Sequence, residues 1–144
     1  MRRVASALTV LLLCASLAAA QESPAQWVAR IFDPATLGIA SFPGAILNRK
    51  QSVDAIALER GGDKRIAIYL TAPDQLKAAA DHFATQFGVQ PQVTGADSAF
   101  VTYTFDFTDP KAPAKLKGLR VAISRAQFAD NKGQITMEYQ PPKP

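Results

Sequence analysis

The stretch VTYTFDF, from Val101 to Phe107, alternates between two kinds of side chain without a break. Val101, Tyr103, Phe105 and Phe107 fall on one side, and Thr102, Thr104 and Asp106 follow Phe100 on the other. A repeat of two is the pleat of a β-strand, and aromatic and β-branched residues suit it. One apolar side and one hydroxylated side describe a strand buried on a single face.

Two later runs repeat this pattern. Leu119, Val121 and Ile123 oppose Arg120, Ala122 and Ser124, and Ile135, Met137 and Tyr139 oppose Thr136, Glu138 and Gln140. Asp130-Asn131-Lys132-Gly133 supplies a turn between them, so the three runs predict a meander. Upstream, Asp54, Ile56, Leu58 and Arg60 alternate with Ala55, Ala57 and Glu59. After Gly61-Gly62, Ile66, Ile68 and Leu70 alternate with Ala67, Tyr69 and Thr71, which predicts a hairpin about the glycine pair. A further short strand is expected near Ala45–Arg49.

Two segments carry helical signals. Ser23-Pro24-Ala25-Gln26 has the residue order of a capping box, with Pro at the first helical position. Trp27, Val28, Ile31 and Phe32 then share a side, and Asp33-Pro34 ends the helix. Thr71-Ala72-Pro73-Asp74 reads as a second cap, opening a helix that Gly88 stops. At helical spacing, Leu76, Ala79, Ala80, Phe83 and Phe87 form one apolar stripe that should press on the sheet. Together these elements predict an α+β fold with two layers: a mainly antiparallel sheet of about five strands, with helices packed on one face.

Residues 1–20 read as a secretory signal peptide. Arg2 and Arg3 precede an apolar run that ends in Ala18-Ala19-Ala20, which places cleavage before Gln21. The short basic region suits a bacterial, periplasmic or secreted protein. Cys14 is the sole cysteine, and the bulky Leu13 before it disfavours lipid attachment there. Cleavage leaves a single domain over residues 21–140 and a Pro141-Pro142-Lys143-Pro144 tail that cannot extend a strand. Without a cysteine, that domain has no disulfide and stands on its apolar core. No transmembrane span is expected after cleavage.

Loss of Arg2 and Arg3 lowers the formal net charge from +4 by two, to +2. So small a charge gives no reason to expect nucleic-acid binding. Reactive motifs are absent from the sequence. No serine lies in a nucleophile-elbow context, and no phosphate-binding glycine loop leads from strand to helix. No metal or cofactor is expected. Asp106 and Asp109 are the closest acids of the exported chain, and their proline-rich setting suits turn formation. His82, the one histidine, falls off the helical stripe, with Ala78, Ala79, Thr85 and Gln86 as its helix neighbours. It reads as a surface bystander, unless a distant loop folds over it.

Two surfaces remain as binding candidates. The sheet's second face would carry Tyr69, Phe100, Thr102, Thr104, Arg120 and Thr136, with an aromatic and an arginine as interface anchors. Lys111, Lys115, Lys117, Arg120 and Arg125 form a run without acids that could meet an anionic partner. The expected function is therefore non-catalytic binding of a protein, a glycan or an anionic envelope component. The alternatives are a carboxylate-dependent hydrolase, or a self-associating envelope protein that forms a homo-oligomer.

Overall fold

The computed structural model describes residues 22–59 and 62–144. The expected signal peptide, its expected cleavage point and Cys14 lie outside the described residues. Helix α1 covers Pro24–Ala29, and a 3₁₀ turn covers Pro34–Leu37. Strand β1 (Ile46–Leu47), helix α2 (Arg49–Leu58), strand β2 (Arg65–Thr71) and helix α3 (Leu76–Phe87) follow. The chain ends in β3 (Gln92–Thr94), β4 (Thr102–Asp106), β5 (Leu119–Arg125) and β6 (Gly133–Tyr139). All six strands join one sheet in the order β1-β2-β6-β5-β4-β3. Every neighbouring pair is antiparallel. The protein is an α+β domain, as the alternating runs predict.

The core follows from the pleat. Register places Phe105 opposite Val121, Val121 opposite Met137 and Met137 opposite Ala67. These side chains share one face, and all are buried. The apolar stripe of α3 lies on them, with Leu76, Ala79, Ala80, Phe83 and Ala84 in the same cluster. Phe87 packs edge-on against Phe105 and Phe107, with ring centroids 5.2 and 5.3 Å apart. Gly88 stops the helix in the left-handed conformation at φ 70°, where a side chain would be strained. The N-terminal capping box forms as read: Ser23 N–H donates to Gln26 Oε1 at 2.6 Å, and Gln26 N–H donates to Ser23 Oγ at 3.4 Å.

Three readings of secondary structure need correction. Asp54–Leu58 is helix, so the hairpin about the glycine pair does not form. Asn48 caps α2 by accepting from Gln51 N–H at 3.1 Å. Alanine, at home in a helix, fits either period, so Ala55 and Ala57 cannot discriminate between them. The partner of β2 is instead β6, far away in sequence. The cap at Thr71 is also absent: α3 starts at Leu76, and Thr71 is the last residue of β2, paired with Gly133. The sheet ladder takes Thr71, and Pro73 biases Ala72 toward extended backbone. Finally, Gln92–Thr94 forms an additional edge strand, which brings the sheet to six strands where about five are expected.

Strand β2 is buried on both sides. Ala67, Tyr69 and Thr71 face the core with Met137 and Ile135, while Ile66, Ile68 and Leu70 face the reverse side. Helix α2 covers part of that reverse side. Ile56, Ile66 and Ile68 form a second cluster there, with Trp27 and Ile31 against it. Ile68 therefore packs beneath α2, and Tyr69 takes the core-facing place. The two side chains exchange the faces expected from sequence.

The outer edge of β2 has its backbone groups met one after another. Ile66 N–H donates to Arg30 O, and Ile66 O accepts from Phe32 N–H. Ile68 N–H donates to Ser52 Oγ at 2.9 Å, and Ile68 O accepts from Asn48 N–H at 2.7 Å. Leu70 then pairs with Ile46 of β1. Ser52 is fully buried, and its hydroxyl donates in turn to Asn48 O at 2.7 Å. At the opposite end of the sheet, Gly118 (φ 85°) bonds Phe107 O through its N–H and accepts from Gln140 N–H, each at 2.9 Å. A Cβ there would clash with the backbone oxygen of Gln140.

Ser52→Ala leaves the buried Ile68 N–H unmet and should lower stability by about 1–3 kcal/mol. Gly118→Ala should cost about 1–2 kcal/mol for the left-handed backbone alone, with the clash added. Urea unfolding of each variant against the parent checks both.

Candidate functional site

The reverse face of the sheet collects four of the six residues expected on its binding surface. Thr104, Ala122, Thr136 and Ile68 stand in register across four strands. Arg120 lies between Asp106 and Glu138, and Thr102 pairs with Thr94 at the far edge. Tyr69 is not among them, because strand parity turns it to the core side opposite Ile135. Burial pushes its phenol above the ordinary 10.0, against a hydrogen bond with Ser41 and with Asp33 adding to the rise. Phe100 precedes β4, in a turn where its N–H donates to Ser98 Oγ at 3.1 Å. It is exposed but lies outside the strand ladder.

The basic run does not gather into one patch. Arg120 and Arg125 occupy opposite ends of β5, about 17 Å apart at the rise of a strand. Arg125 also has the parity of the core face. Lys115 extends its ammonium beside Gly38, while Lys117 lines an end cleft with Lys64 and Lys143. Lys111 lies in the connecting loop, where its N–H donates to Asp109 Oδ1 at 2.7 Å.

His82 has a structural task. The loop after the 3₁₀ turn does fold over it, bringing Ala40 O within 3.0 Å of Nε2 and the Phe42 ring edge-on at 5.6 Å. Gln86 clasps the same loop: Ala40 N–H donates to its Oε1 at 2.8 Å, and its Nε2 donates to Ala40 O at 2.9 Å. Gln86 Nε2 is also 2.8 Å from His82 Nε2. No carboxylate contacts the ring among the described residues. No cluster of three His, Cys, Asp or Glu side chains occurs among them either.

The carboxylates serve local structure. Asp106 Oδ1 accepts from the Thr108 hydroxyl at 2.6 Å and from Thr108 N–H at 2.9 Å. The two bonds to Thr108 hold the Asp106 carboxyl below its ordinary 3.8, and Arg120 adds to the effect against slight desolvation. Such a group stays ionised and is poorly suited to donate a proton near neutrality.

A groove forms where α2 meets the reverse face. Its larger part, about 650 Å³, lies between the α2 residues Lys50, Gln51, Asp54, Ala55 and Leu58 and the floor residues Ile68 and Gln134. Phe128, from the β5–β6 turn, stands at its rim. A second part, about 520 Å³, lies over Ile46 and Leu70, between Arg49 and Lys132. Asn48 lines both. Three large apolar side chains on this groove face solvent: Ile46 at 73 %, Leu58 at 83 % and Phe128 at 85 % exposure.

Sequence reasoning missed all three. Leu58 shares a face with Ile56 in a strand but not in a helix, so the helical period of α2 decides its exposure. Phe128 did carry a signal, as a lone aromatic within a polar turn segment. No protein-family model, curated protein or solved structure matches the chain.

The Asp106 pKa is lower in the folded state, so its contribution to stability is present above the unfolded value and is lost as pH falls through the folded one. Thr108→Val removes the hydroxyl bond. The Asp106 titration, followed by carboxyl NMR, should move up toward the ordinary value. The loss of stability below about pH 4 should become shallower.

Proposed function

We propose that this chain is a non-catalytic binding domain, exported to the periplasm or beyond, that holds its ligand in the groove between α2 and the reverse face of the sheet. Export rests on the basic and apolar pattern of residues 1–20. The carrying observation is that Leu58 and Phe128 line one hollow and Ile46 the hollow beside it that shares Asn48, each side chain more than two-thirds exposed. Apolar side chains grouped in this way around a groove mark a binding site, whereas scattered ones need no explanation. Asp54, the carboxylate on the groove wall, is engaged by Lys50 at 2.6 Å. The threonines Thr104 and Thr136 continue the floor toward Arg120 as a flat polar margin.

The neutral dye Nile red tests the groove directly. It should bind the parent saturably, and Leu58→Ser/Phe128→Ser should abolish most of the fluorescence gain. Stability should stay within about 0.5 kcal/mol of the parent, since both side chains are exposed. Equal dye binding by a stable double variant would place the ligand elsewhere.

A further inference from the structure

We infer that the occupant of this groove is a single-chain anionic amphiphile of the fatty-acid class, its acyl chain along α2 and its carboxylate between Arg49 and Lys132. The inference rests on the groove being the binding site and names what fills it.

The first argument is the polarity of the groove. Its apolar rim, Leu58 and Phe128, flanks one part, and Arg49 and Lys132 flank the other. Lys50 is tied to Asp54, whereas neither Arg49 nor Lys132 has an ion-pair partner among the described residues. A carboxylate set between two unpaired cations gains from both, and Ile46 and Leu70 give the site an apolar lining. An anionic head on an apolar tail matches this layout, and a cationic head opposes it.

The second argument distinguishes an acyl chain from a polypeptide. The floor strands β2 and β6 pair with each other along their full lengths, and β6 pairs with β5 on its other side. No free backbone edge lies in the part along α2 for an extended peptide to join; the free edge of β1 borders only the part beside Arg49. The side-chain amides are partly engaged as well. Asn48 Nδ2 donates to Gln51 Oε1 at 3.1 Å, and Gln134 Nε2 donates to Thr136 Oγ1 at 3.0 Å. A peptide laid along α2 would find few partners for its backbone amides, whereas a hydrocarbon chain needs none. Helix α2, with ten residues, offers a wall about 15 Å long, which suits a medium-length acyl chain.

The test is isothermal titration of the exported chain with dodecanoate, dodecanol and dodecyltrimethylammonium, each below its micelle concentration. Dodecanoate should bind one to one and at least tenfold more tightly than the cationic analogue. Arg49→Gln/Lys132→Gln should weaken dodecanoate at least tenfold and leave dodecanol within twofold. Leu58→Ser/Phe128→Ser should weaken both. Equal affinity for the two charged amphiphiles, or indifference of dodecanoate to the Arg49/Lys132 variant, overturns the inference. So does capture by anionic phospholipid vesicles without dodecanoate binding, or a groove-dependent dimer in sedimentation velocity. If Nile red binding depends on Leu58 and Phe128 but dodecanoate does not bind, the groove stands and this ligand class falls. If neither binds, both readings fall.

Discussion

The backbone N–H of Ile68 sits on the outer edge of β2 with no strand opposite it, and the buried hydroxyl of Ser52 takes it. That bond seats α2 over the reverse face of the sheet. An unmet amide in this position would bear the full cost of desolvation, so the helix and the strand depend on each other. Arg30, Phe32 and Asn48 complete the same edge. The part of β2 that extends past β1 thus offers no free backbone group to another strand. The helix that closes it also creates a second, smaller core around Ile56 and the wall of the groove.

The two faces of the sheet therefore have different tasks. On one, α3 and the Phe32–Ile39 segment bury aromatic and aliphatic side chains in a continuous core. The loop over that core is held by Gln86 and His82 at Ala40, which makes the single histidine part of the scaffold. On the other face, cover stops at β2, and β4 to β6 present threonine, alanine and serine beside the groove. The floor is rigid because both sides of β6 are paired. The proposed binding surface thus lies mostly on regular elements, with Phe128 and Lys132 supplied by the β5–β6 turn.

Strands β4, β5 and β6 were legible because each is buried on one side only, so burial and side-chain alternation coincide. Thr102, Thr104, Arg120 and Thr136 were assigned to the correct face for the same reason. Strand β2 defeats that logic. Ile66 and Ile68 pack under α2 while Ala67 and Tyr69 pack in the main core, and a strand apolar on both faces has no readable parity. The misplacement of Tyr69 follows directly. The basic residues between Lys111 and Arg125 looked like one feature because they are close in sequence, yet a loop and a whole strand carry them apart.

What the chain announces locally is its periodicity: the pleat of β4 to β6, the stripe of α3, the Ser23 cap and the glycine that ends α3. Those patterns arise from contacts between near neighbours and from a single buried face, so they survive in one dimension. The helical state of Asp54–Leu58 does not, because its alternating alanines satisfy either period and the deciding partner, Ile68 N–H, enters only when β2 pairs with β6. Nor does the groove, since Ile46, Leu58 and Phe128 come from three separate segments. Only packing brings them to one place, with Arg49 and Lys132 beside them.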